Sequence, residues 1–143
     1  RLFELHSDLK RDGIALGSFP LSLVLLINDA NYPWFVLVPQ QPELRDLNDL
    51  LADEYIQFWS ESRRFSNALV SLFKPDKLNV ASLGNMTPQL HVHHVVRFKS
   101  DSAWPMPIWG RHPLKPYEPG QIAGVAQQLS SQNISGFEPF QLP

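Results

Sequence analysis

Three of the five histidines in the chain lie within four positions, in the stretch PQLHVHHVVRF at residues 88–98. The stretch has the alternating character of a β-strand, whose successive side chains point to opposite faces of the sheet. We therefore expect Gln89, His91 and His93 on one polar face that points away from the core. His94 falls on the other face, where its apolar neighbours indicate packing against the core.

This row of side chains is suited to nucleophilic or acid–base catalysis. An imidazole titrates near neutral pH and can attack phosphorus without a metal ion. By the rise of a strand His91 and His93 are about 7 Å apart, so one small ligand can contact both. Imidazoles on a solvated sheet face are a second interpretation. A metal site is a third, but it needs about three ligands, and the third would come from His6, His112 or a distant carboxylate. We favour catalysis and predict no metal.

The composition narrows the class of protein. The chain has 143 residues, which suits one domain with a core of its own, and we take residues 1–143 as a single domain. It has no cysteine, which excludes disulfides, thiolate metal sites and cysteine nucleophiles. The formal net charge of -2 argues against a broad nucleic-acid interface. No apolar run is long enough to span a membrane, and no signal peptide is visible, so we expect a cytoplasmic protein without a membrane partner.

The elements that must position the histidines follow from periodicity and from glycine and proline. A helix over residues 2–11 precedes strands at about 14–18, 21–28 and 34–39. A stretch of 30 residues without Gly or Pro, 44–73, predicts a long amphipathic helix whose outer face, with Glu61, is solvated. Strands at 78–85 and about 89–98 follow, then a short helix around 119–131 and an extended tail. This order predicts an α+β domain with an antiparallel, meander-like sheet.

At this point the residues resemble a known family. The run from Gln89 to Arg97 is similar to the signature of the histidine-triad (HIT) superfamily, His-φ-His-φ-His-φ-φ, where φ is apolar. Gly84 and Asn85 stand where members commonly have Gly-Gln, and Asn79 is near the place of a usual Asn. The chain resembles a divergent bacterial-type member in which Gln89 replaces the first histidine.

Two flanking segments extend the resemblance to about residues 14–110. The stretch INDANYPWFVLVP, 27–39, is similar to the family's Pro-containing loop and its H-x-L-V-x-P strand. The stretch SAWPMPIWG, 102–110, is similar to a Trp-Pro-Pro-Gly segment of some members. The resemblance implies a HIT-like fold, with about five antiparallel strands, one long helix and a shorter N-terminal helix. Residues 111–143 are then a proline-rich C-terminal extension.

The resemblance also implies an activity. HIT proteins are typically homodimers that bind a nucleotide or nucleotide conjugate, and they hydrolyse or transfer its nucleoside monophosphate, as in phosphoramidate or dinucleotide hydrolysis. By position His91 is the nucleophile that forms a nucleotidyl-histidine intermediate, and His93 hydrogen-bonds phosphate oxygens or the leaving group. Gln89 takes the position that supports the nucleophile. No cofactor and no nucleic-acid partner are implied.

The resemblance also implies which residues bind the nucleotide, because positions of this sequence match the family's binding positions. An acidic or amide residue after the second strand binds ribose in the family, and both Asn28 and Asp29 qualify. Backbone amides at the Gly84-Asn85 turn are placed to hold phosphate. Side-chain donors complete the predicted nucleotide-binding set, which is Asn28, Asp29, Asn79, Gly84, Asn85 and Thr87.

Three departures from the family pattern bear on activity. Gln89 can accept or donate a hydrogen bond but cannot carry a proton. Trp34 stands where the family has an upstream histidine, and Met86 stands where it has Ser or Thr. These departures favour an alternative in which the domain is a non-catalytic nucleotide sensor or scaffold of the same fold.

Overall fold

A computed structural model describes residues 2–142 of the chain. The elements are α1 (Ser7–Asp12), β1 (Gly13–Ser18), β2 (Ser22–Ile27), β3 (Trp34–Pro39), a 3-10 turn (Leu47–Asp49), α2 (Ala52–Phe73), β4 (Lys77–Ser82), β5 (Val92–Arg97), α3 (Gln121–Ser131) and β6 (Glu138–Pro139). The strands form one sheet in the order β4-β5-β3-β2-β1-β6, and every neighbouring pair is antiparallel. The predicted α+β class with an antiparallel sheet is confirmed.

The expected count of five strands is wrong, because a sixth strand forms in the tail. Only Glu138 and Pro139 belong to β6, which pairs with Ser18 and Gly17 at the free edge of β1. Two residues are too few to give an alternating pattern in a sequence. The extension beyond residue 110 also contributes to the core, since Leu129 of α3 is buried in the main apolar cluster.

Helices α1 and α2 are both shorter than predicted. Helix α1 begins at Ser7, where the ring of His6 caps it by accepting the backbone N–H of Asp8 at Nδ1 over 3.0 Å. Helix α2 begins at Ala52, because the carboxylate of Asp49 accepts the backbone N–H of Asp46 and closes the 3-10 turn before it. Within residues 2–142, no helix is long and apolar enough to cross a membrane.

The sheet has an apolar layer on each face. Helix α2 covers one face, where Phe58, Phe65 and Leu69 are fully buried against the strands. Helix α1 and the segment before it cover part of the other face, where Leu9 packs on Ile27 and on other strand residues. Every residue of β5 is buried, so both faces of this strand are covered, including the one that carries His93.

Glu61 corrects the prediction for the outer face of the long helix. Its side chain is fully buried instead of solvated. The carboxylate accepts the backbone N–H groups of Leu21 over 2.8 Å and Ser22 over 2.9 Å, and also the Gln57 amide over 2.7 Å. The two backbone donors lie at the start of β2 and just before it, so Glu61 joins the long helix to the entry of that strand.

Candidate active site

The candidate site is a small cavity at the start of β5, beneath α1. Its volume is about 110 Å³. The polar wall consists of Asp8, Asp12, Thr87, His91 and His93, and the apolar wall of Leu9, Ile27, Trp34 and Leu114. A larger and more open groove of about 640 Å³ lies beside Gln89 and contains neither His91 nor His93. The small cavity is therefore the candidate active site, because both His91 and His93 line it.

His91 is held by the main chain just before β5 begins. Its Nδ1 lies 2.7 Å from the carbonyl oxygen of Gln89. A carbonyl only accepts, so Nδ1 carries the hydrogen and donates it. In the neutral ring, Nε2 then has a free lone pair. The side chain is only 7 % exposed, at the cavity wall.

His93 is held in the opposite sense, by a side chain. The indole Nε1–H of Trp34 donates to His93 Nδ1 over 3.0 Å, so that nitrogen carries a lone pair and Nε2 carries the hydrogen. Burial, followed by the nearby His91 and His94, lowers the pKa of His93 from 6.5 to about 3. The centroids of the His91 and His93 rings are 4.9 Å apart.

The interpretation of the two imidazoles as residues of a solvated sheet face is wrong, because both rings are buried. His93 is 6 % exposed and its ring contacts the ring of Trp109 at a centroid distance of 5.2 Å. Trp109 belongs to an irregular segment that folds over this face of the sheet, and Ala103 and Ile108 of the same segment are buried with it. The sequence of a strand does not indicate which distant segment will cover it.

His94 lies on the opposite face from His93, as the alternation predicts. Its Nδ1–H donates to the carbonyl of Val92, and its Nε2 accepts the hydroxyl of Ser62 on α2 over 2.7 Å. Burial lowers the pKa of His94 from 6.5 to about 4. This ring packs between sheet and helix and has no access to the cavity.

The side chain of Gln89 has different partners from those expected of a first triad position. Its amide nitrogen donates to the carbonyl of Glu4 over 2.9 Å, and its amide oxygen accepts the backbone N–H of His6 over 2.8 Å. The hydrogen bond to His91 comes from the main-chain carbonyl of Gln89. The side chain thus fastens the segment before α1 to the start of the histidine row.

Thr87 brings α1 to the cavity. Its hydroxyl donates to Asp8 Oδ2 over 2.8 Å, and this bond is the largest of the influences that hold the pKa of Asp8 below its usual range. Asp12 lies one helical turn after Asp8 and also lines the cavity. Sequence reasoning missed both carboxylates, although their spacing of four residues puts them on one face of a helix.

Asn28 and Asp29 bind a distant stretch of main chain. The Asn28 amide oxygen accepts the backbone N–H of Tyr117 over 2.9 Å. Asp29 is buried and accepts the backbone N–H groups of Asn31 over 2.9 Å and Lys115 over 3.3 Å. Neither side chain lines the cavity, and a direct contact of either with a nucleotide stays a prediction. Their observed role is to hold the segment that follows Leu114, a cavity residue.

Asn79, Gly84 and Asn85 lie outside the cavity. The Asn79 amide oxygen, on β4, accepts a hydrogen bond from the buried guanidinium of Arg97 over 2.8 Å. Gly84 adopts a φ of 77°, which favours glycine at the turn before the histidine row, and Asn85 is exposed. Of the predicted site residues, the structure therefore brings together His91, His93 and Thr87, and it adds Asp8, Asp12 and Trp34.

The donor set does not form a metal centre in the described part of the chain. Residues 2–142 contain no group of three or more His, Cys, Asp or Glu side chains placed to hold a metal ion. Within the cavity wall, the lone pair of His91 Nε2 and the hydrogen on His93 Nε2 instead provide a nucleophile beside a hydrogen-bond donor.

Comparisons with known proteins agree with this architecture. The HIT domain family model matches residues 9–100. A histidine triad protein from Bradyrhizobium japonicum is 42 % identical, with 92 % of this chain and 98 % of that chain covered and a TM-score of 0.90. One from Marinobacter aquaeolei VT8 is also 42 % identical, with coverages of 92 % and 96 % and a TM-score of 0.90. One from Sinorhizobium meliloti 1021 is 31 % identical, with coverages of 91 % and 96 % and a TM-score of 0.89. No curated protein matches significantly.

Proposed function

Because this chain belongs to the HIT domain family, we propose that it binds a nucleotide with its phosphate at the cavity and transfers the nucleoside monophosphate through His91. The acceptor that completes the reaction is water or a second nucleophile, which makes the protein a phosphohydrolase or a nucleotidyl transferase. The homodimer that the family resemblance implies is part of the proposal, and sedimentation analysis of the purified protein tests it.

One observation supports the catalytic part most strongly: the hydrogen bond of 2.7 Å from His91 Nδ1–H to the Gln89 carbonyl. It leaves Nε2 as the nucleophilic nitrogen. When Nε2 attacks phosphorus, the ring becomes cationic, and the bond from Nδ1–H to the carbonyl becomes charge-assisted and stronger. The main chain therefore stabilises the charge that develops on the nucleophile, and the side chain of residue 89 is not required for this.

The reaction proceeds in two steps. The electron pair of His91 Nε2 forms a bond to phosphorus, and the bond to the leaving group breaks with its electron pair. Water then attacks phosphorus, loses a proton to the solvent, and returns the electron pair to Nε2. The Nε2–H of His93 is the neighbouring donor that stabilises negative charge on the phosphoryl oxygens or leaving group.

The charges of the cavity wall suggest how the nucleotide is oriented. Asp8 and Asp12 are carboxylates, which accept hydrogen bonds from hydroxyl groups, and the guanidinium of Arg11 offsets their charge by pairing with both. His91, the proposed nucleophile, lines the same cavity. We therefore place the ribose hydroxyls toward the carboxylates and the phosphate toward His91.

The decisive experiment compares His91→Asn with His112→Asn. His112 is an exposed histidine that does not line the cavity, so its variant is a matched control. Incubation with diadenosine triphosphate and with an adenosine phosphoramidate is expected to give AMP, and quenched wild-type protein to carry an adenylyl group on His91. Turnover and adduct should be lost in His91→Asn and kept in His112→Asn. The absence of product and adduct in the wild type would refute the catalytic proposal.

Binding is tested separately by thermal unfolding in the presence of AMP. A ligand at 100 times its Kd raises the free energy of unfolding by about 2.7 kcal/mol, and His91→Asn should retain most of this effect. Stabilisation without turnover would instead support the alternative of a non-catalytic nucleotide sensor. That alternative is favoured by Gln89, whose side chain binds the N-terminal segment, and by Trp34, which carries no titratable proton.

A further inference from the structure

Trp34 and His93 form a side-chain pair across two neighbouring strands. Val36, not Trp34, is the register partner of His93, so the indole reaches diagonally along the same face of the sheet. Its Nε1–H donates to His93 Nδ1 over 3.0 Å. An indole nitrogen only donates, so the pair has one possible polarity. His93 is accordingly the neutral tautomer with its hydrogen on Nε2.

This polarity limits the chemistry of His93. To act as a general acid the ring must be an imidazolium, with a hydrogen on both nitrogens, and the indole N–H occupies the place of the second hydrogen. Transfer of the Nε2 hydrogen from the neutral ring would leave an imidazolate, which is a very strong base. His93 can therefore donate a hydrogen bond to a leaving group without giving it a proton.

Among residues 2–142, no other group facing His93 supplies a proton readily. His91 and His94 are its nearest titratable neighbours, and His91 has its own hydrogen directed to the Gln89 carbonyl. Asp8 and Asp12 share the cavity wall, and the hydrogen bond from Thr87 favours the charged form of Asp8. The Gln89 amide, in the first triad position, has no acidic proton.

We propose that Trp34 is a positioning residue that fixes His93 as a neutral donor and so restricts the site to leaving groups that depart as anions. The preferred substrates are then nucleoside 5′-phosphoric anhydrides, in which phosphorus is bonded to the oxygen of another phosphate, rather than phosphoramidates of alkyl amines. This inference rests on the proposed function of His91.

The difference between the two substrates is in the fate of one electron pair. In an anhydride, the P–O bond breaks and the pair leaves on a phosphate oxygen, which is a stable anion that His93 Nε2–H can hydrogen-bond. In an alkyl phosphoramidate, the P–N bond breaks and the pair leaves on nitrogen, which must take up a proton to depart. That proton has to come from solvent, because the described residues of the site include no acid for it.

Two matched variants test the role of the indole. Trp34→Phe removes the hydrogen bond to His93. Trp109→Phe is the control, since its ring contacts His93 at 5.2 Å while its Nε1 has no hydrogen-bond partner among the described residues. The kcat/KM values for diadenosine triphosphate and for adenosine 5′-tryptamine phosphoramidate are measured between pH 5 and 8. General acid catalysis is worth about 100-fold or more, so the wild type should prefer the anhydride by about that factor.

In Trp34→Phe, the indole no longer occupies Nδ1, so this nitrogen can take up a proton from solvent during turnover, and the preference for the anhydride should fall by about tenfold or more. Trp109→Phe should keep the wild-type ratio. Equal or faster turnover of the phosphoramidate by the wild type would overturn the proposal, as would an unchanged ratio in Trp34→Phe. If neither substrate gives product or adduct, the proposed function fails and the leaving-group preference fails with it.

A readout that does not need activity tests the positioning role. In protein labelled with 15N-histidine, the nitrogen resonances of His93 should show Nδ1 without a hydrogen and Nε2 with one, from pH 8 down to pH 5. Trp34→Phe should give a mixture of the two neutral tautomers, and Trp109→Phe should not. A His93 ring that is protonated on Nδ1 in the wild type would refute the role of Trp34, whatever the substrates do.

Discussion

The hydroxyl of Thr87 donates to Asp8 Oδ2 over 2.8 Å and joins two parts of the chain that are 79 residues apart. Thr87 lies in the loop before the histidine row, and Asp8 lies in the first turn of α1. Both line the cavity, so this bond closes one corner of its wall. The position of α1 over His91 depends on a contact between two polar side chains as well as on apolar packing.

Thr87→Val isolates this bond, because valine has nearly the shape of threonine without the hydroxyl. The pKa of Asp8 should rise toward its usual range, since the hydrogen bond from Thr87 is the main influence that lowers it. Amides near residues 84–88 should exchange hydrogen faster. Carboxyl NMR titration and hydrogen exchange measure the two effects. Thr87→Ser keeps the hydroxyl and should resemble the wild type; equal Asp8 titration in the valine and serine variants would contradict the assignment.

Ribose recognition is expected to involve Asp12. In Asp12→Asn the carboxylate becomes an amide of the same size, and AMP binding should weaken about fivefold, roughly the value of one hydrogen bond of 1 kcal/mol. The affinity for 2′,3′-dideoxy-AMP, which lacks both hydroxyls, should hardly change. Isothermal titration of the two nucleotides measures the difference.

Asn28→Ala is the comparison that tests the other candidate for the ribose. Its hydrogen bond to the Tyr117 N–H would be lost, so the segment after Leu114 should loosen and both nucleotides should bind more weakly. Should Asn28→Ala, and not Asp12→Asn, abolish the discrimination between AMP and the dideoxy nucleotide, ribose recognition belongs to Asn28.

Local sequence patterns are sufficient to predict most strands of the sheet and the face on which their side chains lie. The alternation of β5 correctly put His94 on the face opposite His93, because the side-chain period of a strand depends only on backbone geometry. The apolar period and the lack of Gly and Pro indicate the long helix, although it begins at Ala52, later than the start of the stretch without Gly or Pro. Asp49 closes a 3-10 turn before this helix, and the apolar period of the sequence does not show where that turn ends and the helix begins.

Contacts between distant segments account for what the sequence did not reveal. The burial of His91 and His93 depends on α1, on Trp34 and on the segment around Trp109, none of which adjoins them in the chain. Glu61 has the charge of a surface residue, and its burial depends on two backbone N–H groups about 40 positions away. Such pairings are determined by tertiary packing, which local propensity does not encode.

Gly17 has no side chain, and this leaves the space in which β6 pairs with β1. A Cβ at this position would lie 2.6 Å from Cζ of Phe137 and would also collide with the carbonyl oxygen of Glu138. Gly17→Ala should therefore release β6 from β1, expose residues 137–142 to proteases and leave nucleotide binding intact. Limited proteolysis followed by mass spectrometry detects the release.

Gly124→Ala is the matched control for that variant. A Cβ at Gly124 would meet no atom within 4 Å, and the residue lies inside α3. Alanine is favoured over glycine in a helix by about 0.8–1.0 kcal/mol, so this variant should be more stable than the wild type and should keep its tail protected. Equal protease sensitivity of the two variants would show that the tail does not depend on the missing Cβ of Gly17.

The buried His94 should make the protein less stable as the pH falls below neutrality. Its folded-state pKa is about 4, whereas an ordinary histidine has a pKa of 6.5, so between these values the unfolded chain binds a proton that the folded chain does not. The contribution of His94 to the free energy of unfolding is fully present above pH 6.5 and is lost as the pH falls toward 4. It amounts to about 3 kcal/mol, and His93, whose pKa is about 3, acts in the same direction.

Urea unfolding at pH 7, 6 and 5 measures this dependence, and a double variant isolates the part due to His94. Ser62→Ala with His94→Leu replaces both hydrogen-bonding partners by apolar groups and leaves neither side chain unpaired. Its free energy of unfolding should fall less steeply, by up to about 1.4 kcal/mol per pH unit, which is the contribution of one proton. A slope as steep as that of the wild type would show that His94 titrates normally in the folded protein, and that the acid sensitivity arises from other groups.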